Sequence, residues 1–134
     1  MIEEFKNQLT KVLHRCKHNF GGNSQSIAEL VNLILDFAVK VRASDLHIEP
    51  FQKYLRVRYR IDGHLHELHE PIPIELSPLF ISRIKILARI DTTTMFTPLD
   101  GAIKFGNVEM RVATMPSFKA ETVTIRLLDS TQGL

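Results

Sequence analysis

The sequence lacks several features that would assign a protein to a class at once. Its 134 residues contain one cysteine, Cys16, which excludes an internal disulfide framework and a four-cysteine zinc module. No apolar run approaches the roughly 18 residues of a membrane-spanning helix. The acidic start Met1-Ile2-Glu3-Glu4 is unlike a secretory signal peptide. We therefore expect a protein of the reducing cytosol.

A strong net charge and a glycine-rich phosphate loop are also missing. The formal net charge of +2 is too small to indicate a nucleic-acid-binding protein. The six glycines match neither a P-loop nor a dinucleotide-binding fingerprint. No nucleophile with an oriented base stands out. We therefore expect no catalytic residue in this chain and no ATP hydrolysis by the chain alone.

The chain does have the composition of an ordinary globular domain, with 44% hydrophobic and 24% charged residues, which argues against disorder. Residues 2–18 carry apolar side chains at helical spacing and predict an amphipathic helix. Gly21-Gly22-Asn23-Ser24 then breaks the pattern and is typical of a short linker. We accordingly divide the chain into a helix with its linker, 1–25, and a main domain, 26–134.

Two more helices are predicted in the main domain. Ser26-Ile27-Ala28-Glu29 has the pattern of a capping box, which would open a helix ending at about Arg42. Ser77-Pro78 has the pattern of an N-cap followed by proline at the first helical position, and this helix should end at about Ile90. Pro71 and Pro73 should end the preceding strand.

Alternation of polar and apolar residues predicts the strands of the domain. Asp62-Gly63 and Gly106-Asn107 are hairpin-turn pairs, and residues 91–101 are expected to form a loop. The predicted strands are 45–49, 55–61, 64–68, 102–105, 108–114 and 122–128. This order of elements predicts an α+β domain with a mostly antiparallel sheet whose helices cover one face.

Charged residues share one face of the first two predicted strands. Opposite charges on paired strands stabilise each other, so a structural ion-pair ladder or a docking face is favoured over an acid–base catalytic cluster. A weak nucleic-acid-binding role for the arginines ranks last, because carboxylates balance their charge. The residues concerned are Asp45, His47 and Glu49 on the first strand and Arg56, Arg58 and Arg60 on the second.

Arg111 and Arg126 form the more informative pair. If their strands form a hairpin, the two arginines lie roughly opposite each other, which is unfavourable without an anion. Phosphate matches the geometry of guanidinium groups. The alternative is that an acidic neighbour neutralises them, and the spacing alone leaves both interpretations open. The acidic neighbours are Glu109, Glu121 and Asp129.

Three histidines raise the question of a metal site. His64 and His66 lie two apart on one predicted strand, a spacing that can chelate a metal ion, and His69 follows. Glu67 would point to the other face, so no obvious ligand completes the set. A solvated strand face is the favoured interpretation, and we expect no metal site.

Five stretches of the chain share their order and spacing with a known family. They are Ala43–Pro50, Leu55–Gly63, Ser82–Arg89, Pro98–Gly101, and Arg111-Val112 through Ile125–Asp129. Together they cover about residues 27–129. They closely resemble the N-terminal regulatory domain of the secretion ATPases, the cytoplasmic motors of type II secretion and type IV pilus assembly.

The resemblance implies a PAS-like domain that precedes a RecA-like motor. None of the motor's Walker motifs occurs here, so we expect a piece of a larger ATPase or, as the alternative, a stand-alone module that docks on a motor encoded elsewhere. The resemblance further implies that Arg111 and Arg126 reach toward the phosphates of ATP held with Mg²⁺ by the motor. It also implies a homo-hexamer, cytoplasmic and peripheral at the inner membrane, with platform proteins there as partners.

The sequence departs from the family pattern at several positions. Met95-Phe96 stands where many members carry a basic pair, and Leu99 and Ala102 replace a glutamine and an arginine of the Pro-Gln-Asp-Gly-Arg stretch. Ala102 should lie opposite Arg111, so positive charge is lost from that face. Ala120-Glu121 replaces the usual Gly-Glu. A docking helix is one interpretation of residues 2–18, but packing on their own domain is the favoured one.

Overall fold

Three α-helices and seven strands make up the described residues of the computed structural model, which are 2–18, 24–93, 97–117 and 120–129. The helices are α1 (Ile2–His18), α2 (Ser24–Lys40) and α3 (Ser77–Leu87), with a 3₁₀ turn at Ile74–Leu76. The strands are β1 (Asp45–Phe51), β2 (Tyr54–Ile61), β3 (His64–Glu67), β4 (Ile72–Pro73), β5 (Leu99–Phe105), β6 (Val108–Ser117) and β7 (Ala120–Asp129). The predicted α+β class is confirmed.

The strands form one antiparallel sheet in the order β3-β2-β1-β7-β6-β5, with β4 pairing beside β2. The first and the last strand of the chain are neighbours in the middle of this sheet, because β1 pairs with both β2 and β7. Asp62 and Gly63 both take positive φ, 51° and 81°, as the predicted hairpin turn requires.

Alternation places the apolar side chains of every central strand on one face of the sheet. The helices cover that face, as expected, and their apolar sides join the strands in one core. Tyr59 of β2 contacts α2 twice: its hydroxyl lies 3.4 Å from the carbonyl oxygen of Ile34, and its ring meets Phe37 edge-on. The opposite face of the sheet carries the charged residues.

Helix α1 packs on its own domain, which confirms the favoured interpretation of residues 2–18. Phe5 stacks on Phe37 of α2 with ring centroids 3.8 Å apart, and Leu9 is fully buried. Arg15 and Glu29 add an exposed ion pair at 2.5 Å. The apolar stripe of α1 is therefore part of the core.

Both predicted N-caps are wrong. Helix α2 begins at Ser24, so Ser26 is a buried residue inside the first turn. Its place in the helix is set by tertiary packing, which outweighs a local capping signal. Helix α3 is entered from the 3₁₀ turn, so its N-cap is Leu76, with no side-chain cap hydrogen bond. The Ser77 N–H bonds the carbonyl of Ile74, and the serine is already helical.

Helices α2 and α3 end two to three residues earlier than the apolar pattern predicts. Arg42 and Arg89 each take a φ of 59°, the left-handed conformation that closes a helix. After Arg42, the Ala43 N–H reaches back to the carbonyl of Ala38 at 2.9 Å. This reversal ends α2 and directs the chain into β1, so the apolar residues beyond the helix pack as part of the turn.

Strand also forms at two places where the sequence did not predict it. Ile72–Pro73 forms β4, and the fully buried Ile72 pairs with Leu55. Strand β5 begins at Leu99, inside the predicted loop 91–101, and brings Gly101 against the end of α3. A Cβ at Gly101 would lie 2.4 Å from the Ala88 carbonyl oxygen, so only glycine allows this approach. Of the predicted linker 21–24, Ser24 belongs to α2, whereas residues 21–23 and the departure at 95–96 lie outside the described residues.

Candidate anion-binding site

A line of residues crosses the open face of the sheet at right angles to its strands. The register pairs Arg60 with Asp45, Asp45 with Arg126, Arg126 with Arg111, and Arg111 with Ala102. We call these five residues the arginine row. Each lies on a different strand, from β2 to β5, so the row brings together residues from distant parts of the sequence.

The predicted juxtaposition of Arg111 and Arg126 is confirmed, because they are direct partners in the β6–β7 ladder. Their side chains are 70% and 68% exposed. Each guanidinium donates a hydrogen bond through Nε, from Arg111 to Glu109 at 3.3 Å and from Arg126 to Asp45 at 3.1 Å. Within the described residues neither arginine donates a hydrogen bond through a terminal Nη nitrogen, so both forks remain open to an anion.

Asp45 is the one acidic residue of the row, and its side chain is only 9% exposed. Its Oδ1 accepts from Arg126, while Oδ2 accepts from the Ser44 hydroxyl at 2.8 Å and lies 3.9 Å from Nε of Arg60. Burial raises the pKa of this carboxyl, but the hydrogen bonds from Ser44 and Arg126 outweigh burial and hold the pKa below its usual range. Asp45 is therefore ionised at neutral pH.

The second set of predicted site residues forms an ion-pair ladder between β1 and β2. Glu49 accepts from Nη2 of Arg56 at 2.7 Å and also from Arg58. Arg56 lies over the ring of Phe51, 4.2 Å from its centroid. Burial raises the pKa of Glu49, but the two arginines outweigh it, so the pKa is lowered. His47 lies in the next row of the sheet, paired with Arg58 and Thr124.

The ion pairs show which of the acidic neighbours suggested by the sequence neutralise Arg111 and Arg126. Glu109 does pair with Arg111, as the alternative allowed. The interpretation that Glu121 neutralises an arginine is wrong, because Glu121 lies on the helix-covered face and binds Lys85. The partner of Arg126 is Asp45, which the sequence analysis assigned only to the ladder. Their pairing depends on β1 meeting β7, 81 residues away in sequence, and no local pattern signals it. The Asp129 side chain lies outside the described part of the structure.

Lys85 and Glu121 form a buried ion pair, which the sequence analysis missed. Their side chains are 2% and 9% exposed, and Nζ lies 2.8 Å from both carboxylate oxygens. The pair borders a cavity of about 230 Å³ between α3 and the start of β7. A lysine in the apolar stripe of α3 and a glutamate at an inward strand position are the only sequence signals for it.

The three histidines border a different part of the molecule. His64, His66 and His69 line a groove between α1, α2 and β3, on the side away from the arginine row. Over residues 2–18, 24–93, 97–117 and 120–129, no group of three or more His, Cys, Asp or Glu side chains is arranged to hold a metal ion. In the same ranges, no helix is long and apolar enough to cross a membrane.

Comparison with known proteins defines the class of protein that the motifs indicated. The family profile "Type II/IV secretion system protein" matches residues 22–133. The chain belongs to this family.

Several relatives with curated names are similar to most of the chain. The chain is 45% identical over 111 residues to the type II secretion system protein E of Pseudomonas aeruginosa, covering 80% of this chain and 22% of that protein. It is 46% identical over 108 residues to the type IV pilus assembly ATPase PilB of Myxococcus xanthus, covering 77% and 19%. The type II secretion system ATPase E of Vibrio cholerae is 45% identical over 107 residues, with 77% and 21% covered. The chain thus spans about a fifth of the length of these relatives. It is homologous to one domain of a secretion or pilus ATPase.

Proposed function

We propose that this chain is a regulatory domain of a secretion or pilus-assembly ATPase and that Arg111 and Arg126 contact the phosphates of a nucleotide held by the motor. The observation that carries the proposal is the cross-strand arginine pair, two-thirds exposed and open at the Nη nitrogens. Two like charges facing each other on a ladder are unfavourable. A bound phosphate would turn that repulsion into attraction.

The neighbouring carboxylates do not cancel the positive charge of this surface. Arg60 and Arg126 share Asp45, and Arg111 pairs with Glu109, so three guanidinium groups of the row face two carboxylates. One positive charge therefore remains in excess. Because both carboxylates bind at Nε, they orient the guanidinium forks without blocking them. An anion can therefore be added to the row without displacing a partner.

Phosphoryl transfer is a reaction that the positive charge of this row could assist. In phosphoryl transfer, catalysis depends on positive charge placed where negative charge develops on the transferred group. The chain has no phosphate loop of its own, so the nucleotide and its Mg²⁺ would be held by the motor. Arg111 and Arg126 would then complete the site when the domain closes on the motor. Closing and opening would couple hydrolysis to protein export or pilus assembly.

The rest of the proposal rests on the resemblance of the sequence motifs to those of the secretion ATPases. An α+β domain with one open sheet face is suited to the PAS-like regulatory role, and that open face is available to a motor of its own chain or of a separate one. We propose a homo-hexamer in the cytoplasm, held at the inner membrane by platform proteins. The ladder of Glu49, Arg56 and Arg58, with Asp45, His47 and Arg60 beside it, would form part of the interface with the motor.

The test is ATP hydrolysis by the whole ATPase carrying Arg111→Ala or Arg126→Ala. Arginine fingers contribute roughly 10³- to 10⁵-fold to kcat, so we expect each variant to lose at least about tenfold. The matched control is Arg15→Ala, which removes an arginine from an exposed ion pair on the helix layer. It should leave turnover unchanged.

Normal turnover in the Arg126→Ala enzyme would contradict the proposed role. If hydrolysis instead requires mixing this chain with a separate motor protein, the alternative of a stand-alone docking module gains support. In that case the same two variants should be tested in the mixture.

A further inference from the structure

The two arginines of the site are anchored in very different ways. Arg126 is held from a neighbouring strand by Asp45, whose side chain is 9% exposed. Arg111 is held from its own strand by Glu109, two residues away, whose side chain is 41% exposed. A buried carboxylate holds its partner more firmly than an exposed one, because water competes less for it.

Asp45 itself is fixed by the backbone around it. The preceding residue, Ser44, donates its N–H to the carbonyl of Arg60 at 2.9 Å and accepts from the N–H of Leu127 at 3.0 Å. It therefore joins β2 to β7 at the position of the arginine row. The Ser44 hydroxyl also bonds Oδ2 of Asp45, which leaves Oδ1 directed at Arg126. Neither Asp45 oxygen can move without breaking a hydrogen bond.

We infer that Asp45 is a positioning residue that fixes the guanidinium of Arg126 for phosphate, while Arg111 is an adjustable second contact. This inference rests on the proposed function. A guanidinium held through Nε presents both Nη nitrogens in one plane, which is the geometry for bidentate binding of phosphate. Fixing it in advance lowers the entropy lost when the phosphate arrives.

The inference predicts unequal responses of the two arginines to lysine. Arg126 must donate to Asp45 and to phosphate at the same time, and a single ammonium group cannot reproduce that fork. Arg126→Lys should therefore lose nearly as much turnover as Arg126→Ala. Arg111 is anchored only at the surface, so Arg111→Lys should retain a larger share of activity than Arg111→Ala.

The decisive experiment is a double-mutant cycle in the whole ATPase with Asp45→Ala, Arg126→Ala and the double variant. Misplacing a reacting contact costs on the order of 10- to 100-fold, and we expect Asp45→Ala to lower kcat within that range. In the Arg126→Ala background the same substitution should cause no further loss. Asp45→Asn, which keeps an oxygen to accept from Nε, should restore part of the activity.

Thermal unfolding of each variant separates positioning from a loss of fold. The control Asp36→Ala removes a carboxylate from the exposed Asp36–Lys40 pair on α2 and should change neither kcat nor the pattern of the cycle. If Asp45→Ala does not fold, Asp45→Asn carries the same cycle.

Each outcome of the cycle bears on one claim. Normal kcat in Asp45→Ala, or losses that multiply in the double variant, would overturn the positioning role while a defective Arg126→Ala enzyme still supports the proposed function. An unimpaired Arg126→Ala enzyme would overturn both. Equal retention of activity by Arg126→Lys and Arg111→Lys would contradict the division between a fixed and an adjustable arginine.

Discussion

The two faces of the sheet are built from alternate residues of the same strands, yet they depend on different interactions. On the helix-covered face, Ile125 is fully buried, and Glu121 faces a lysine away from water. The next residue along the strand from Ile125, Arg126, is 68% exposed and shares the Asp45 carboxylate with Arg60. The first face contributes stability through burial, whereas the second contributes little stability and keeps charge available. Substitutions on the open face should therefore leave the fold intact.

The largest effect should come from breaking the buried ion pair. Lys85→Ala leaves the buried carboxyl of Glu121 without its partner, which costs about 3–5 kcal/mol of unfolding free energy. Lys40→Ala breaks the exposed Asp36–Lys40 pair, for which water competes, and should lower the free energy of unfolding far less. Urea unfolding of the two variants measures both. Similar losses in the two would show that burial does not distinguish these pairs.

Next in size is a comparison of adjacent residues in β7. Ile125→Ala opens a cavity in the core and should cost about 2–5 kcal/mol. Arg126→Ala removes a mostly exposed side chain and should cost under about 1 kcal/mol. Chemical denaturation of the two variants gives the difference. An Arg126→Ala loss as large as that of Ile125→Ala would mean that the open face is structural.

A smaller effect should follow from pH, through the carboxylates of the open face. The pKa values of Asp45 and Glu49 are lowered in the folded state: burial opposes the shift, but hydrogen bonds from Ser44 and the arginines exceed it. Their contribution is complete above the unfolded pKa values of about 4 and is lost as pH falls through the lower folded values. We expect the Tm to hold from pH 7 to 5 and to fall below about pH 4.

Glu49→Gln provides the control for the pH series. It should lower the Tm at pH 7, where the wild-type pair with the two arginines is ionised, and should lose less on acidification than the wild type. Parallel Tm curves for the wild type and Glu49→Gln would assign the acid sensitivity to other groups.

The smallest effect concerns the departure at Ala102. Ala102→Arg would add a fourth guanidinium to the row, beside Arg111. Like charges on adjacent strands cost roughly 0.2–1 kcal/mol, and added salt should reduce this cost. Thermal melts at low and high salt measure it. A salt-independent change would mean that the new side chain finds a carboxylate partner instead.

Features that depend on residues close in sequence were predicted correctly, whereas features that depend on distant residues were not. Alternation around Asp62-Gly63 and in 108–128 set the local registers correctly, including Arg111 opposite Arg126, because hairpin pairing is determined by neighbours. The pairing of Arg126 with Asp45 was not predicted, because the two residues are 81 positions apart in the sequence. Both N-caps were misjudged because a single cap hydrogen bond is weaker than the packing of a whole helix.

The most direct test of the central claim is the structure of the whole ATPase with a non-hydrolysable ATP analogue. The account predicts Nη nitrogens of both Arg111 and Arg126 at about 3 Å from phosphate oxygens, with Arg126 still bonded to Asp45 through Nε. A closed nucleotide site whose phosphates are contacted only by the motor, with both arginines left facing solvent, would contradict it.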